Sequence, residues 1–230
     1  MFGPTLQGEG RSQGKATMFL RLGLCNLDCA WCDTPYTWDW TGKNGVKYDK
    51  SKELFRITPP EIRAWALHAA TNYNVRRVVV TGGEPLLQQR RLASLFVDLV
   101  NDGIVVEVET NGTVIPCEDI QDVCQFNVSP KLSSSGVSKQ LAFDVDALKV
   151  LAECDSTFKF VVSDEVDLMD VDTFLSLVPL TSQRVHLMPE GRTRTEILDK
   201  LPWLFDVCAT RGWNLSPRLH VLAFNDKRGV

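Results

Sequence analysis

Stretches with strand character alternate with stretches of helical spacing along most of this chain, and its polar motifs fall at regular places between them. Ala16 to Leu22 reads as a first strand and Arg77 to Val80 as a β-branched second, with Val105 to Glu109 as the third. Further strands fit Val123 to Val128, Phe158 to Val162, Val185 to Met188 and Asn214 to His220. Thr58-Pro59-Pro60-Glu61 announces a helix, with Thr58 as N-cap, Pro59 at the first helical position and Glu61 closing a capping box, running to about Ala70. Helical spacing recurs over 92–102, 144–154, 167–178 and 195–211. Such alternation implies a parallel sheet. The carboxyl ends of its strands carry the polar motifs. Gly23 to Thr34 follows the first strand, Thr81-Gly82-Gly83-Glu84-Pro85 the second and Glu109-Thr110-Asn111-Gly112-Thr113 the third. Ser129-Pro130-Lys131 follows the fourth and Met188-Pro189-Glu190-Gly191 the sixth. In a (β/α) barrel those ends converge on one face, so distant motifs line one cavity. With about six or seven mostly parallel strands, the expected fold is an α/β, partial TIM-like barrel, open on one side. No repeat, low-complexity tract or linker divides residues 1–230, which are expected to form a single domain. Lys131 to Gly136 reads as a surface loop, and the lysine-rich segment from Trp38 to Lys52 has no assignment.

Cys25, Cys29 and Cys32 stand at Cys-x3-Cys-x2-Cys spacing within eight residues. Three thiolates this close invite a metal. They suit three irons of a four-iron cluster whose fourth iron lacks a protein ligand, whereas electron-transfer clusters are closed by four cysteines. Positions i, i+4 and i+7 also share one helix face, but Gly23, Asn26, Asp28 and Asp33-Thr34-Pro35 are poor helix formers. Structural zinc is the sharper rival. It needs a fourth ligand, for which His68, His186 and His220 are the histidines available.

Composition narrows the partners. A formal net charge of -4 argues against a general nucleic-acid or membrane surface and leaves a small molecule as the expected substrate. No apolar run approaches the roughly 20 residues of a membrane span, and Met-Phe-Gly-Pro-Thr at the start has no basic region leading into an apolar one. Seven cysteines, three of them bunched, do not make a secreted disulfide framework, so the expected address is the cytoplasm. Cys117, Cys124, Cys154 and Cys208 read as plain buried thiols.

The cysteine spacing resembles the signature of the radical S-adenosylmethionine (SAM) superfamily, in which SAM chelates the open iron. There a Gly-Gly-Glu-Pro motif after the second strand binds the SAM amino group, the place that Gly82-Gly83-Glu84-Pro85 holds here. Motifs beyond these resemble the 7-carboxy-7-deazaguanine synthase family over nearly the whole chain. They are Thr5-Leu6-Gln7-Gly8-Glu9-Gly10, Arg21 four residues before the first cysteine, Cys32-Asp33-Thr34, Glu109 to Thr113, Ser129-Pro130-Lys131, and Leu219-His220 to Lys227-Arg228-Gly229-Val230. That family converts 6-carboxy-5,6,7,8-tetrahydropterin to 7-carboxy-7-deazaguanine, a precursor of queuosine and other 7-deazapurines, by radical ring contraction with loss of ammonia. The resemblance implies a homodimer of partial barrels using a 4Fe-4S cluster, SAM and Mg2+, fed by a flavodoxin- or ferredoxin-type electron donor.

Residue by residue, it implies that Cys25, Cys29 and Cys32 hold the cluster and Thr34 reaches Mg2+. Trp31, Asp33, Gly83, Glu84, Ser129, Lys131, Met188, Pro189 and Glu190 would contact SAM. Leu6, Gln7, Gly8, Glu9, Arg21, Thr81, Glu109 and His220 would meet the substrate: Glu9 by ring N–H donors, Arg21 by the carboxylate that its guanidinium fork suits. Without the family, Thr34 is a turn cap, Arg21 a surface charge, Lys131 a solvated loop lysine and His220 a core histidine ending a strand. His68 and His186 read as structural. The final segment resembles one subgroup of the family, which leaves Val230 without an assigned role, and the usual family start implies a few residues before Met1. Two other readings share features of the chain. A glycyl-radical activase has the same cysteine spacing but no need of Gln7, Glu9 and Arg21, and a zinc-stabilised binding module needs no turnover.

Overall fold

The computed structural model describes residues 1–229; Val230 lies outside them. Eight strands form one sheet in sequence order: β1 Phe2–Leu6, β2 Ala16–Leu22, β3 Arg77–Gly82, β4 Val105–Thr110, β5 Gln125–Val128, β6 Ser156–Val162, β7 Val185–Pro189 and β8 Asn214–Leu215. β1 is antiparallel to β2, and every later pair is parallel. The helices are α1 Lys50–Glu53, α2 Pro59–Tyr73, α3 Gln89–Asn101, α4 Glu118–Gln121, α5 Lys139–Ala142, α6 Val145–Glu153, α7 Glu165–Leu177, α8 Arg194–Arg211 and α9 Leu219–Phe224. β1 and β8 do not pair, so the barrel is partial, as expected. α2 starts on the capping box read from Thr58 and Glu61.

Two strands depart from the expectation. β1 goes unseen in the sequence because Pro4 interrupts a five-residue run; proline is tolerated there because β1 is an edge. At the other edge, the strand expected over Asn214 to His220 stops after two residues. Pro217 has no N–H to continue a ladder, and the chain turns into α9, so His220 stands on a helix and not at a strand end.

Strand periodicity divides the sheet into two faces. Leu20, Val78, Val80, Val106, Val108, Phe126, Phe158 and Phe160 face outward, all at most 2% exposed, and pack under the helices. Phe174 of α7, for example, packs its ring tilted against Phe158 and edge-on against Phe160, at 5.6 and 5.0 Å. The inner face is far more polar. Register aligns Arg21 with Thr81, Glu109 with Asn127, and Lys159 with His186. At its amino end this lumen is closed by Arg77 and Ser12, which donate to Glu107 at 2.8 and 2.5 Å, and by the Arg11–Asp155 pair at 2.6 Å.

His186, left as structural, is indeed lumenal and buried. Burial, with Lys159 and Arg11 nearby, pushes its imidazole down to about 4. A folded value below the unfolded value of about 6.5 means that the unfolded chain binds the extra proton, so stability is lost as pH falls through this window. The expected loss from this group between pH 7 and pH 5 is about 2 kcal/mol. Urea titrations at the two pH values should find a correspondingly smaller loss in His186→Gln.

Candidate functional site

The chain after β1 does not go to the carboxyl-end face. It enters from the amino end of β2, where Leu6 pairs with Ala16, and crosses the lumen as a polar strap, residues 7–12. Gln7 donates through Nε2 to Glu109 at 3.0 Å, and Thr81 donates its hydroxyl to the other Glu109 oxygen at 2.6 Å. Gly10, at φ +66°, lies against Asn127 so closely that an added Cβ would overlap the amide. The segment after β8 completes the ring: Leu219 N donates to Gly8 O at 3.0 Å, and Gly10 N to Ser216 Oγ at 2.7 Å. These bonds join the two sheet edges that have no ladder between them.

Glu9 sits at the centre of this junction. Lys159 donates to one carboxylate oxygen, Arg218 Nε to the other at 2.9 Å, and His220 Nε2 stands 3.8 Å away. Burial opposes the charge on Glu9, but Lys159, Arg218 and His220 outweigh it and hold the carboxyl well below its usual range. Arg218 also donates to Gly191 O at 2.6 Å and to Asp33, so a single guanidinium ties the strap to the cysteine loop and to the turn after β7. Burial pushes His220 down, leaving its imidazole neutral near pH 7.

The cysteine loop has no helical turn from Gly23 to Thr34, which removes the one-helix-face reading. It is held by main-chain bonds to the turn after β3, where Gly83 N donates to Leu22 O at 3.0 Å and Glu84 N to Leu24 O at 2.8 Å. Gln88 Nε2 reaches Gly23 O at 2.8 Å and Asn111 Nδ2 reaches Asn26 Oδ1 at 2.9 Å. Cys25, Cys29 and Cys32 share a small apolar cluster with Leu27, Val137 and Ala142. Burial pushes Cys25 up to about 11 and raises Cys29, so near pH 7 these thiols stay protonated until a bound cation displaces their protons to solvent.

Nearly all the residues expected at the site line one cavity. Its wall holds the three cysteines, Trp31, Asp33, Thr34, Gly83, Ser129, Lys131, Met188 and Glu190, together with Leu6, Gln7, Gly8, Glu9, Arg21, Thr81, Glu109 and His220. Glu84 and Pro189 are the exceptions. Glu84 is fully buried behind the wall, its carboxylate accepting from Leu86 N, Thr110 Oγ1 and Asn111 N at 2.7–2.9 Å. A carboxylate has about four lone-pair sites, so these three bonds leave one unused. Pro189 is buried between Met188 and Glu190, which face the cavity, and Glu190 accepts from Lys200 at 2.9 Å.

The donor set fits an iron–sulfur cluster with one open iron better than it fits a single ion. No three His, Cys, Asp or Glu side chains gather around a single-ion site among the described residues, whereas tetrahedral zinc draws its thiolates to within about 4 Å of one another. The wall also holds an unanswered donor: Trp31 Nε1 is buried without a partner, and Lys131 Nζ lies 5.5 Å over the same ring. That donor suits a polar ligand in the cavity.

Four positions on the cavity wall escape sequence reading: Trp38, Asn127, Lys159 and Arg218. Lys159 carried a signal, since a lysine between Phe158 and Phe160 in a buried strand must point opposite to both. Two loop readings also change. Leu132 and Ser135 are buried and Ser135 O accepts from Ala30 N at 2.9 Å, so 131–136 braces the cysteine loop instead of lying on the surface. Between Trp38 and Lys52, Asp39 accepts main-chain hydrogen bonds from Asn44, Lys43, Gly42 and Thr41, of which the first three hold its carboxyl down at about 2. Of the remaining cysteines, all free thiols, Cys124 and Cys208 are buried as expected but Cys117 and Cys154 only half so.

The model of the radical SAM superfamily matches residues 21–137, from the end of β2 through the segment bracing the cysteines. A 7-carboxy-7-deazaguanine synthase of Pyrobaculum aerophilum is 37% identical over 98% of this chain and 93% of its own, and one of Bacillus subtilis is 30% identical over 100% and 96%. Among solved structures, QueE from Escherichia coli aligns with a TM-score of 0.69 and 27% identity, covering 94% of this chain and 91% of that one. The chain therefore belongs to the radical SAM superfamily and, within it, to the 7-carboxy-7-deazaguanine synthase family.

Proposed function

We propose that this chain, as a single domain over residues 1–230, converts 6-carboxy-5,6,7,8-tetrahydropterin to 7-carboxy-7-deazaguanine with loss of ammonia. The observation that carries the reading is the single cavity into which the three thiols and the polar set of Gln7, Glu9, Arg21, Thr81, Glu109 and His220 all open. Cys25, Cys29 and Cys32 would hold a 4Fe-4S cluster with one iron left for SAM. When bound, the cluster would supply the one-electron chemistry that the protein itself lacks.

The chain's own residues position and neutralise. Lys131, Ser129, Trp31 and Asp33 flank SAM, with Gly83 offering main chain, Glu84 its last lone pair, and Met188, Pro189 and Glu190 the opposite wall. Glu109, oriented by Gln7 and Thr81, takes pterin N–H donors. Glu9 does the same from a position set by Lys159 and Arg218, which keep it ionised despite its burial. Gly8 and Leu6 offer main chain, and His220 a neutral ring. Arg21 has no carboxylate partner among the described residues and is free to pair with the carboxylate of the substrate. Thr34 offers a hard hydroxyl oxygen to Mg2+, whose other ligands would be water and that same carboxylate. A flavodoxin- or ferredoxin-type donor, a homodimeric assembly and a cytoplasmic setting complete the reading; no helix of the described residues is long and apolar enough to cross a membrane.

Arg21→Gln should raise KM for the pterin about 10- to 100-fold with kcat changed only a few-fold, since hydrogen bonds to a charged group contribute about 1.5–3 kcal/mol and this one is made before and during reaction alike. Steady-state kinetics on the reconstituted enzyme checks it. The reaction itself is tested by anaerobic incubation of reduced, reconstituted protein with SAM and the pterin. Formation of 7-carboxy-7-deazaguanine supports the proposal, and SAM cleavage without that product overturns it.

A further inference from the structure

Trp38 lies outside every motif read from the sequence, yet its indole Nε1 donates to Cys32 Sγ at 3.3 Å. It is the one donor that a tryptophan side chain has. The neighbouring Trp31, by contrast, directs its N–H to no protein atom. The Trp38 contact is also held from several sides. Leu24 N donates to Thr37 O at 2.8 Å, joining the start of the cysteine loop to the residue before Trp38. Asp39 N donates to Pro35 O at 2.7 Å just beyond it. Farther along, Asn44 Nδ2 reaches Cys29 O at 3.3 Å and Lys43 pairs with Asp28, so the segment 37–44 carrying Trp38 is pinned to the cysteine loop at both ends.

We infer that Trp38, by donating its indole N–H to the sulfur of Cys32, raises the reduction potential of the cluster held on Cys25, Cys29 and Cys32; this rests on reading those cysteines as the cluster ligands. One electron enters from an external one-electron donor, no bond forms or breaks and no proton moves, and the added negative charge spreads over the sulfurs. A fixed N–H dipole aimed at one of them stabilises the reduced form more than the oxidised form, which moves the potential upward. Trp38 is thus a positioning residue for the electron-transfer step: it touches the cluster ligand rather than SAM or the pterin.

The test compares wild-type, Trp38→Phe and Trp38→His proteins after anaerobic reconstitution, reading iron and sulfide content and then the midpoint potential by mediated titration. Phenylalanine keeps a ring without a donor, and histidine restores one. The expected result is wild-type iron and sulfide in both variants, a potential shifted to more negative values in Trp38→Phe, and at least partial recovery in Trp38→His. A fully loaded Trp38→Phe protein with an unchanged potential overturns the inference. If Trp38→Phe takes up no iron, pulsed EPR of the reduced cluster in Trp31→Phe protein carrying indole-15N tryptophan decides: a 15N coupling supports the hydrogen bond and its absence overturns it. Wild-type protein that binds no iron would instead overturn the cluster reading, so the two failures are distinct.

Discussion

Gly83→Ala is expected to lose most of its capacity for iron while keeping the fold. A Cβ built on Gly83 overlaps the Leu24 carbonyl oxygen and comes within 2.9 Å of Cys25 N, and both are main-chain atoms with no side chain to swing aside. Relief therefore requires that β3 and the cysteine loop move apart. That breaks the bonds from Gly83 N to Leu22 O and from Glu84 N to Leu24 O, which together set where Cys25 begins. Two lost main-chain hydrogen bonds at about 1 kcal/mol each and overpacking of about 1–3 kcal/mol sum to roughly 3–5 kcal/mol. Iron and sulfide per chain after reconstitution, with a urea titration of the iron-free protein, measure the two effects separately. Gly14→Ala is the control: nothing lies within 4 Å of its added carbon, so only the strain of its φ of +80° is felt, about 1–2 kcal/mol, with iron uptake intact. Full iron content in Gly83→Ala would show that the glycine serves some other end.

Arg218→Met is expected to cost about 3–5 kcal/mol at pH 7, because removing one partner of a buried ion pair strands the other. Glu9, with 12% of its side chain exposed, carries most of this; Asp33, at 41%, is screened by water and adds less. In the wild type both carboxyls are held below their ordinary values, so their pairing contributes stability above about pH 4.5 and loses it as pH falls. Without Arg218 the carboxyls shift up in the folded state. The deficit is then largest at neutral pH and shrinks as pH falls toward about 4, where the stranded groups take up protons in the folded state. Denaturant titrations of the iron-free protein at pH 7 and pH 4 check the sign: a deficit equal at both would mean that lost packing, not charge, is responsible. Glu9 is then held by Lys159 with His220 nearby, so pterin binding should weaken along with stability.

The sheet was legible because its outer face is apolar without interruption. In runs such as Val78 to Val80 and Phe158 to Val162 alternate residues are buried on the helix side, and the ends of these strands shift from the expected ones by no more than two residues. The cavity was legible because parallel strands bring their carboxyl ends to one face, and the cysteine, Gly-Gly-Glu-Pro and Glu109 motifs all stand there. What stayed hidden depends on contacts between distant segments. Nothing local in Gln7 to Ser12 says that it crosses the lumen from the opposite end to reach Glu109, Asn127 and Lys159. Nor does Ser216-Pro217-Arg218 announce that it joins the sheet edges and pairs with Glu9, because the residues concerned are more than 200 positions apart. Glu84 carries a task that its motif does not announce: most of its hydrogen-bonding capacity holds up the turn that sets the cysteine loop.

The claim beneath all of this is that Cys25, Cys29 and Cys32 occupy three irons and leave one for SAM. Mössbauer spectra of 57Fe-reconstituted protein, recorded before and after addition of SAM, test it most directly. One iron in four is expected to change its isomer shift when SAM binds while the other three keep theirs. Four irons all indifferent to SAM, each already carrying a protein ligand, would contradict it.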